Sequence, residues 1–112
     1  IYFYFLGVDN GHPYGGIGNG RNFTLTLKSI DMPLDKWHFL AFVFDSRANS
    51  MHIYYDGILD ETAVTTSLPI LAGVDLSIGA DFQGSGNFFE GLIDSVVIYD
   101  RALSAEEIRG SY

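Results

Sequence analysis

One carboxylate stands where an apolar residue is expected. In Leu92-Ile93-Asp94-Ser95-Val96-Val97-Ile98-Tyr99 the side chains alternate with period two. Leu92, Asp94, Val96 and Ile98 therefore share one face of a predicted strand over 91–99. If that face is core, the Asp94 carboxylate must accept backbone N–H bonds from a neighbouring loop or bind a metal, because a buried charge without a partner is costly. Two Gly-rich stretches bring a different chemistry. Ala80-Asp81-Phe82-Gln83-Gly84-Ser85-Gly86-Asn87-Phe88 combines an acid, amides and aromatic rings. Asp81, Phe82, Gln83 and Asn87 suit a sugar, whose hydroxyls bond to amides and whose C–H faces pack on rings. The plainer reading is a connecting loop with its Phe residues tucked inward. Residues 7–20, with Asp9, Asn10, His12 and Tyr14, pose the same choice.

Other constellations are absent from the sequence. The 112 residues include no Cys, which removes disulfides, thiolate nucleophiles and zinc-cysteine sites. His12, His38 and His52 show no metal-ligand spacing and read as structural. There is no phosphate loop, nucleophile elbow or His-Glu-x-x-His. The net charge is −8, with only six Lys or Arg, which opposes binding to nucleic acid and suits an oxygen-ligated cation such as calcium. No apolar run reaches the roughly 20 residues of a membrane span, so membrane insertion is not expected.

The elements that must position these residues are mostly strands. A composition of 47% apolar and 15% aromatic residues with thirteen Gly favours strands joined by tight turns. Residues 1–6 read as a buried strand, 7–20 as a long loop, and 23–28 as a half-buried strand. The run 37–45 is apolar on both alternating faces, which predicts a strand covered on both sides, with Trp37 as a packing residue. A strand over 50–56 meets Asp56-Gly57, a two-residue hairpin signal, so 58–65 should pair back antiparallel. Leu76–Gly79 reads as a short strand and Tyr99 as a sheet-packing residue. Ser104-Ala105-Glu106-Glu107 is a capping box that starts a short helix stopped near Gly110. The whole predicts one all-β domain, an antiparallel two-sheet sandwich with one short C-terminal helix.

The ordered series Trp37-His38, Asp45, Ile53-Tyr54-Tyr55-Asp56-Gly57, Leu76-Ser77-Ile78-Gly79 and Phe89-Glu90-Gly91-Leu92-Ile93-Asp94-Ser95-Val96-Val97-Ile98-Tyr99-Asp100-Arg101-Ala102-Leu103-Ser104 resembles the laminin-G-like domains of the concanavalin A-like lectin/glucanase superfamily. The resemblance implies a two-sheet jelly roll, extracellular or on a cell surface, acting as an accessory module that binds a glycan or a protein. It also implies a structural calcium on an acid of the last strand, here Asp94. Domains of this kind usually carry further strands before the matched region. Residues 1–112 are accordingly expected to form the C-terminal part of a single domain. The remainder of a parent chain, or a second copy, would then complete the sandwich.

The superfamily includes glucanases. Their retaining members place the catalytic carboxylates on one strand as Glu-x-Asp-x-x-Glu, and glycoside hydrolysis needs two carboxylates facing across the bond. That run is absent, and Glu106 and Glu107 fall on the terminal helix. The expectation is a non-catalytic lectin-like module, the alternative a structural or protein-interaction module.

Overall fold

In the computed structural model, residues 4–18, 23–29, 31–64, 76–80, 86 and 88–112 are described; the side chains of 23–28 are not. Six strands are found among them: β1 (Tyr4–Asp9), β2 (His12–Gly18), β3 (Phe23–Lys28), β4 (Leu40–Asp45), β5 (Ser50–Tyr55) and β6 (Ile58–Val64). A single helix, α1, spans Ala105–Ser111. The strands form two antiparallel three-stranded sheets, ordered β1-β2-β3 and β4-β5-β6.

Both sheets are built from hairpins whose turns dictate their register. At Asp56-Gly57 both residues have positive φ, 50° and 81°. This is the type I′ geometry that matches the right-handed twist of the flanking strands. Asn10-Gly11 repeats it with φ of 50° and 78°, and Asp9 pairs with His12 across it. Of the long loop expected over 7–20, the described part, 7–18, is thus a hairpin, and the dipeptide Asn-Gly is its sequence signal.

The sheets face one another through alternate residues. Phe42 and Phe44 of β4 lie opposite Ile53 and Met51 of β5, and these pack with Ile17 of β2 and Ala63 of β6. Ile17, Met51 and Ile53 are fully buried. Burial of side chains of this size contributes about 1.5–3 kcal/mol each. The layers approach so closely at Gly15 that a Cβ there would lie 2.7 Å from the Phe42 ring, so only Gly fits. A polar link joins the same layers: the Ser29 hydroxyl, just beyond β3, donates to the Asp60 carboxylate of β6. Asp60 sits where the β5–β6 register shifts after Ile53, a bulge that lets its side chain reach across.

The other face of β4-β5-β6 carries the helix. Ile108 is 3% exposed and packs with Val43 and Tyr54, flanked by Phe39, Ala41, Ala102 and Leu103. The capping box is formed: Ser104 Oγ accepts from Glu107 N–H at 3.1 Å, and Glu107 Oε1 accepts from Ser104 N–H at 3.0 Å. The helix runs through Gly110 to Ser111, one residue past the expected stop.

Three expectations are corrected. Leu76–Gly79 and 91–99 are not strands, and 91–99 is exposed throughout. Strand β4 begins at Leu40 rather than Trp37, and Trp37 is 65% exposed rather than packed between layers. Strand β1 is a sheet edge, and its Tyr4 and Leu6 are exposed rather than buried. The common reason is lateral cover: a two-faced apolar strand is buried only where a second layer lies over it, and here that layer is the short helix α1.

Candidate functional site: a groove beside Trp37

The segment between β3 and β4 is laced to its surroundings at both ends. The Ser29 N–H donates to the Pro13 carbonyl and the Met32 N–H to the Gly11 carbonyl, each at 2.7 Å. The His12 ring bridges this segment, with Nδ1 3.0 Å from the Ser29 carbonyl oxygen and Nε2 2.9 Å from Asp31 Oδ1. At the far end His38 Nε2 lies 2.8 Å from the Pro33 carbonyl oxygen and Nδ1 3.1 Å from Asp56 Oδ2. His52 bonds to Ser50 and Thr62. All three histidines thus serve structure, as their spacing implied.

These anchors hold 32–37 as one wall of a groove of about 360 Å³, lined by Met32, Pro33, Leu34, Asp35, Lys36, Trp37 and, opposite, Phe89, Glu90, Gly91 and Leu92. Asp35 turns the first wall with φ of 62°. The second is tied down by the Phe89 N–H, which donates to the Gly79 carbonyl at 2.8 Å. The groove thus has an exposed indole, a half-exposed phenyl ring, two carboxylates and an ammonium group on a short perimeter. Its size falls within the range of small-ligand clefts, roughly 300–1,000 Å³. Sequence reading missed it because Trp37 and Phe89 are far apart in the chain and Trp37 sits in a run that reads as core.

The expected site residues are distributed differently. Asp81, Phe82, Gln83 and Asn87 lie outside the described residues. Asn10 is exposed in the β1–β2 turn. Tyr14 is half-buried in β2, with its ring 5.3 Å from Phe5 and under the backbone of Gly7. Neither lines the groove. Asp94 is exposed, not on a core face, and its Oδ1 accepts the Ser95 N–H at 2.7 Å. A structural calcium takes about six to eight oxygens. Among the described residues no group of three or more His or acidic side chains is gathered at Asp94.

Comparison with known proteins agrees with this architecture. The family profile of the concanavalin A-like lectin/glucanases superfamily, laminin-G type 3, matches residues 2–109, and the chain belongs to that family. No curated protein matches it. A solved structure, that of an S-layer domain-containing protein (residues 221–444) from Clostridium thermocellum ATCC 27405, is similar with a TM-score of 0.62 and 24% identity. The likeness covers 90% of this chain and 51% of that one, so this chain spans about half the length of its solved neighbour. At that identity the likeness speaks for the fold alone. Among the described residues no helix is long and apolar enough to cross a membrane.

Proposed function

We propose that the chain is a non-catalytic carbohydrate-binding accessory module of a secreted or cell-surface protein, with a sugar seated in the groove beside Trp37. The observation that carries this reading is the open indole face of Trp37 beside Asp35, Lys36 and Glu90. A pyranose offers an apolar C–H face to the ring and hydroxyls to charged groups at its edge. Membership of a superfamily whose name includes lectins supports the same reading. The S-layer description of the solved neighbour supports a location outside the cell. Asp81, Phe82, Gln83 and Asn87 belong to this proposal as candidate sugar contacts chosen for their chemistry, and residues 1–112 as one domain or the C-terminal part of one. Calcium at Asp94 belongs to this proposal as well, so chelation should lower the melting temperature.

A glycan array tests the proposal, repeated with Trp37→Ala. Trp37 contributes little packing, so its removal should abolish binding and leave folding intact. No glycan bound, or equal binding by the variant, would sink it.

A second reading, a protein-interaction module, is favoured by the apolar surface of 92–99. There Leu92 is 76% and Val97 64% exposed, alongside Val96, Ile98 and Tyr99. Soluble domains rarely leave a contiguous apolar surface of this kind to water.

A further inference from the structure

The three histidines differ in what faces their rings. His52 lies between two hydroxyls, with Nε2 3.1 Å from Ser50 Oγ and Nδ1 2.9 Å from Thr62 Oγ1. A hydroxyl donates or accepts as required, so a neutral ring satisfies both contacts. His38 instead lies between two acceptors. Its Nε2 faces the Pro33 carbonyl oxygen at 2.8 Å and its Nδ1 faces Asp56 Oδ2 at 3.1 Å. A neutral imidazole has one N–H, and neither a carbonyl nor a carboxylate can donate to the other nitrogen. Both contacts are hydrogen bonds only when the ring is an imidazolium. His12 repeats the arrangement, with Nδ1 3.0 Å from the Ser29 carbonyl oxygen and Nε2 2.9 Å from Asp31 Oδ1. These two rings stand at the two ends of the segment that carries the Trp37 wall of the groove.

We infer that His12 and His38 form a pH-operated clamp on the 31–37 wall, closed when both rings are protonated and loosened as they lose a proton. Imidazole changes charge between about pH 5 and 8. Loss of one proton turns a lone pair toward an acceptor. At His38 the remaining N–H stays with the Asp56 carboxylate, the stronger acceptor, so the Pro33 carbonyl is released. The ring itself keeps its place, because it is 10% exposed and packs 5.2 Å from Tyr55. At His12 the ring is 31% exposed, so water can replace a lost bond, and the Ser29 and Met32 N–H groups keep that end paired. His38 therefore carries the larger share. The charged and titratable groups around it are Asp56 in the β5–β6 turn, Tyr55 of β5 with Tyr112 and Asp60 beyond, and Asp35 and Lys36 of its own segment. Around His12 they are Asp31 and, opposite it in β1, Asp9. Burial and then Asp56 hold the Tyr55 hydroxyl above its ordinary 10.0, so it stays neutral throughout. The clamp does not depend on what the groove binds.

Trp37 is the single tryptophan of the chain, so its indole N–H gives one signal in a nitrogen–proton NMR spectrum. The heteronuclear NOE of that signal reads the mobility of the wall with no ligand present. It should fall from about pH 5 to about pH 8, while the amides of β5 keep theirs. Over the same range the ring-nitrogen shifts of His38 should pass from two N–H groups to one, with Nε2 the nitrogen that loses its proton. His38→Gln should remove most of the change in mobility and His12→Gln a smaller part, whereas His52→Gln should leave it intact. Where His38→Gln does not fold, the wild-type titration and His12→Gln decide. A His38 ring already neutral at the acid end overturns the inference. So does an indole NOE that is the same at both ends, or a change that survives both His38→Gln and His12→Gln.

Discussion

Asp56 brackets Phe39. Its N–H donates to the Phe39 carbonyl at 2.8 Å, and its Oδ1 accepts the Phe39 N–H at 2.9 Å. The second carboxylate oxygen meets His38 Nδ1, and the same ring reaches the Pro33 carbonyl. One turn residue thus fixes the entry to β4, orients His38 and holds one wall of the groove. Asp56→Ala removes the acceptor for both partners and leaves Phe39 N–H unmatched. Urea denaturation should show a loss of about 1–3 kcal/mol. Asp56→Asn keeps an acceptor and tolerates positive φ, so it should lose less. Equal losses in the two variants would mean that neither the amide acceptor nor its tolerance of positive φ replaces what the carboxylate supplies.

The groove prediction can be separated from stability by His38→Ala. The ring packs 5.2 Å from Tyr55 and stands between Asp56 and Pro33. Its removal should loosen 33–37 and weaken any sugar bound at Trp37, while the core around Ile17, Met51 and Ile53 stays folded. Calorimetric titration of a glycan found by the array measures this. An unchanged dissociation constant would mean that the Pro33 bond does not position the wall.

How much of this was legible in the chain depends on distance along it. The Asp56-Gly57 hairpin and the Ser104 capping box were readable because each is a local pattern with one geometric solution. Asn10-Gly11 was equally local, but the surrounding glycines made it read as loop. The strand expected over 91–99 shows the opposite case. Its residues have the right propensities, yet a strand exists only where a neighbour pairs with it, and alternation cannot say where that neighbour is. Trp37 failed for the same reason, since its burial depends on a layer that no local pattern encodes. The groove joins 32–37 to 89–92, and nothing in either segment announces the other. Asp94 stood out only on the assumption that 91–99 has a core face, and it is exposed. Its carboxylate accepts the Ser95 N–H.

Acid should act on the helix start. The Arg101 guanidinium, bonded to both Glu107 oxygens at 2.9 and 2.5 Å, and then the Ser104 N–H, hold the Glu107 carboxyl at about 2, below its ordinary 4.5. A carboxyl lowered on folding contributes stability above its unfolded value, and that contribution is lost as pH falls through its folded value. The window is therefore from about 4.5 down to about 2. Because the pair is solvent-exposed, its effect is modest and screened by salt. Arg101→Gln should flatten the pH dependence of the melting temperature in that window and leave it unchanged near neutrality relative to other surface variants. Identical slopes for wild type and variant would remove Glu107 as the cause.

Ile108 decides whether the helix is part of the fold or an appendage. It is the buried residue of α1 and fills the space over Val43 and Tyr54. Burial there also pushes the Tyr54 hydroxyl above its ordinary value of 10.0. Ile108→Ala removes the buried branches and leaves a cavity that a short helix closes only in part. Such a change costs about 2–5 kcal/mol at a well-packed site. Ile58 is the control: it is 71% exposed on β6, and Ile58→Ala should fall within about 0.5 kcal/mol of wild type. If the helix is integral, Ile108→Ala should lower the denaturation midpoint of the whole domain in one cooperative step. If it is an appendage, the variant should keep the wild-type midpoint and gain only protease cleavage between Ser104 and Tyr112. Tyr112 favours the first outcome. Its side chain lies against Gly57, where a Cβ would come within 3.1 Å of it, and its ring lies 6.0 Å from that of Phe39, tilted by 40°. Tyr112 is therefore fastened to the same turn that Asp56 uses to hold β4, and loosening the helix should loosen that turn with it.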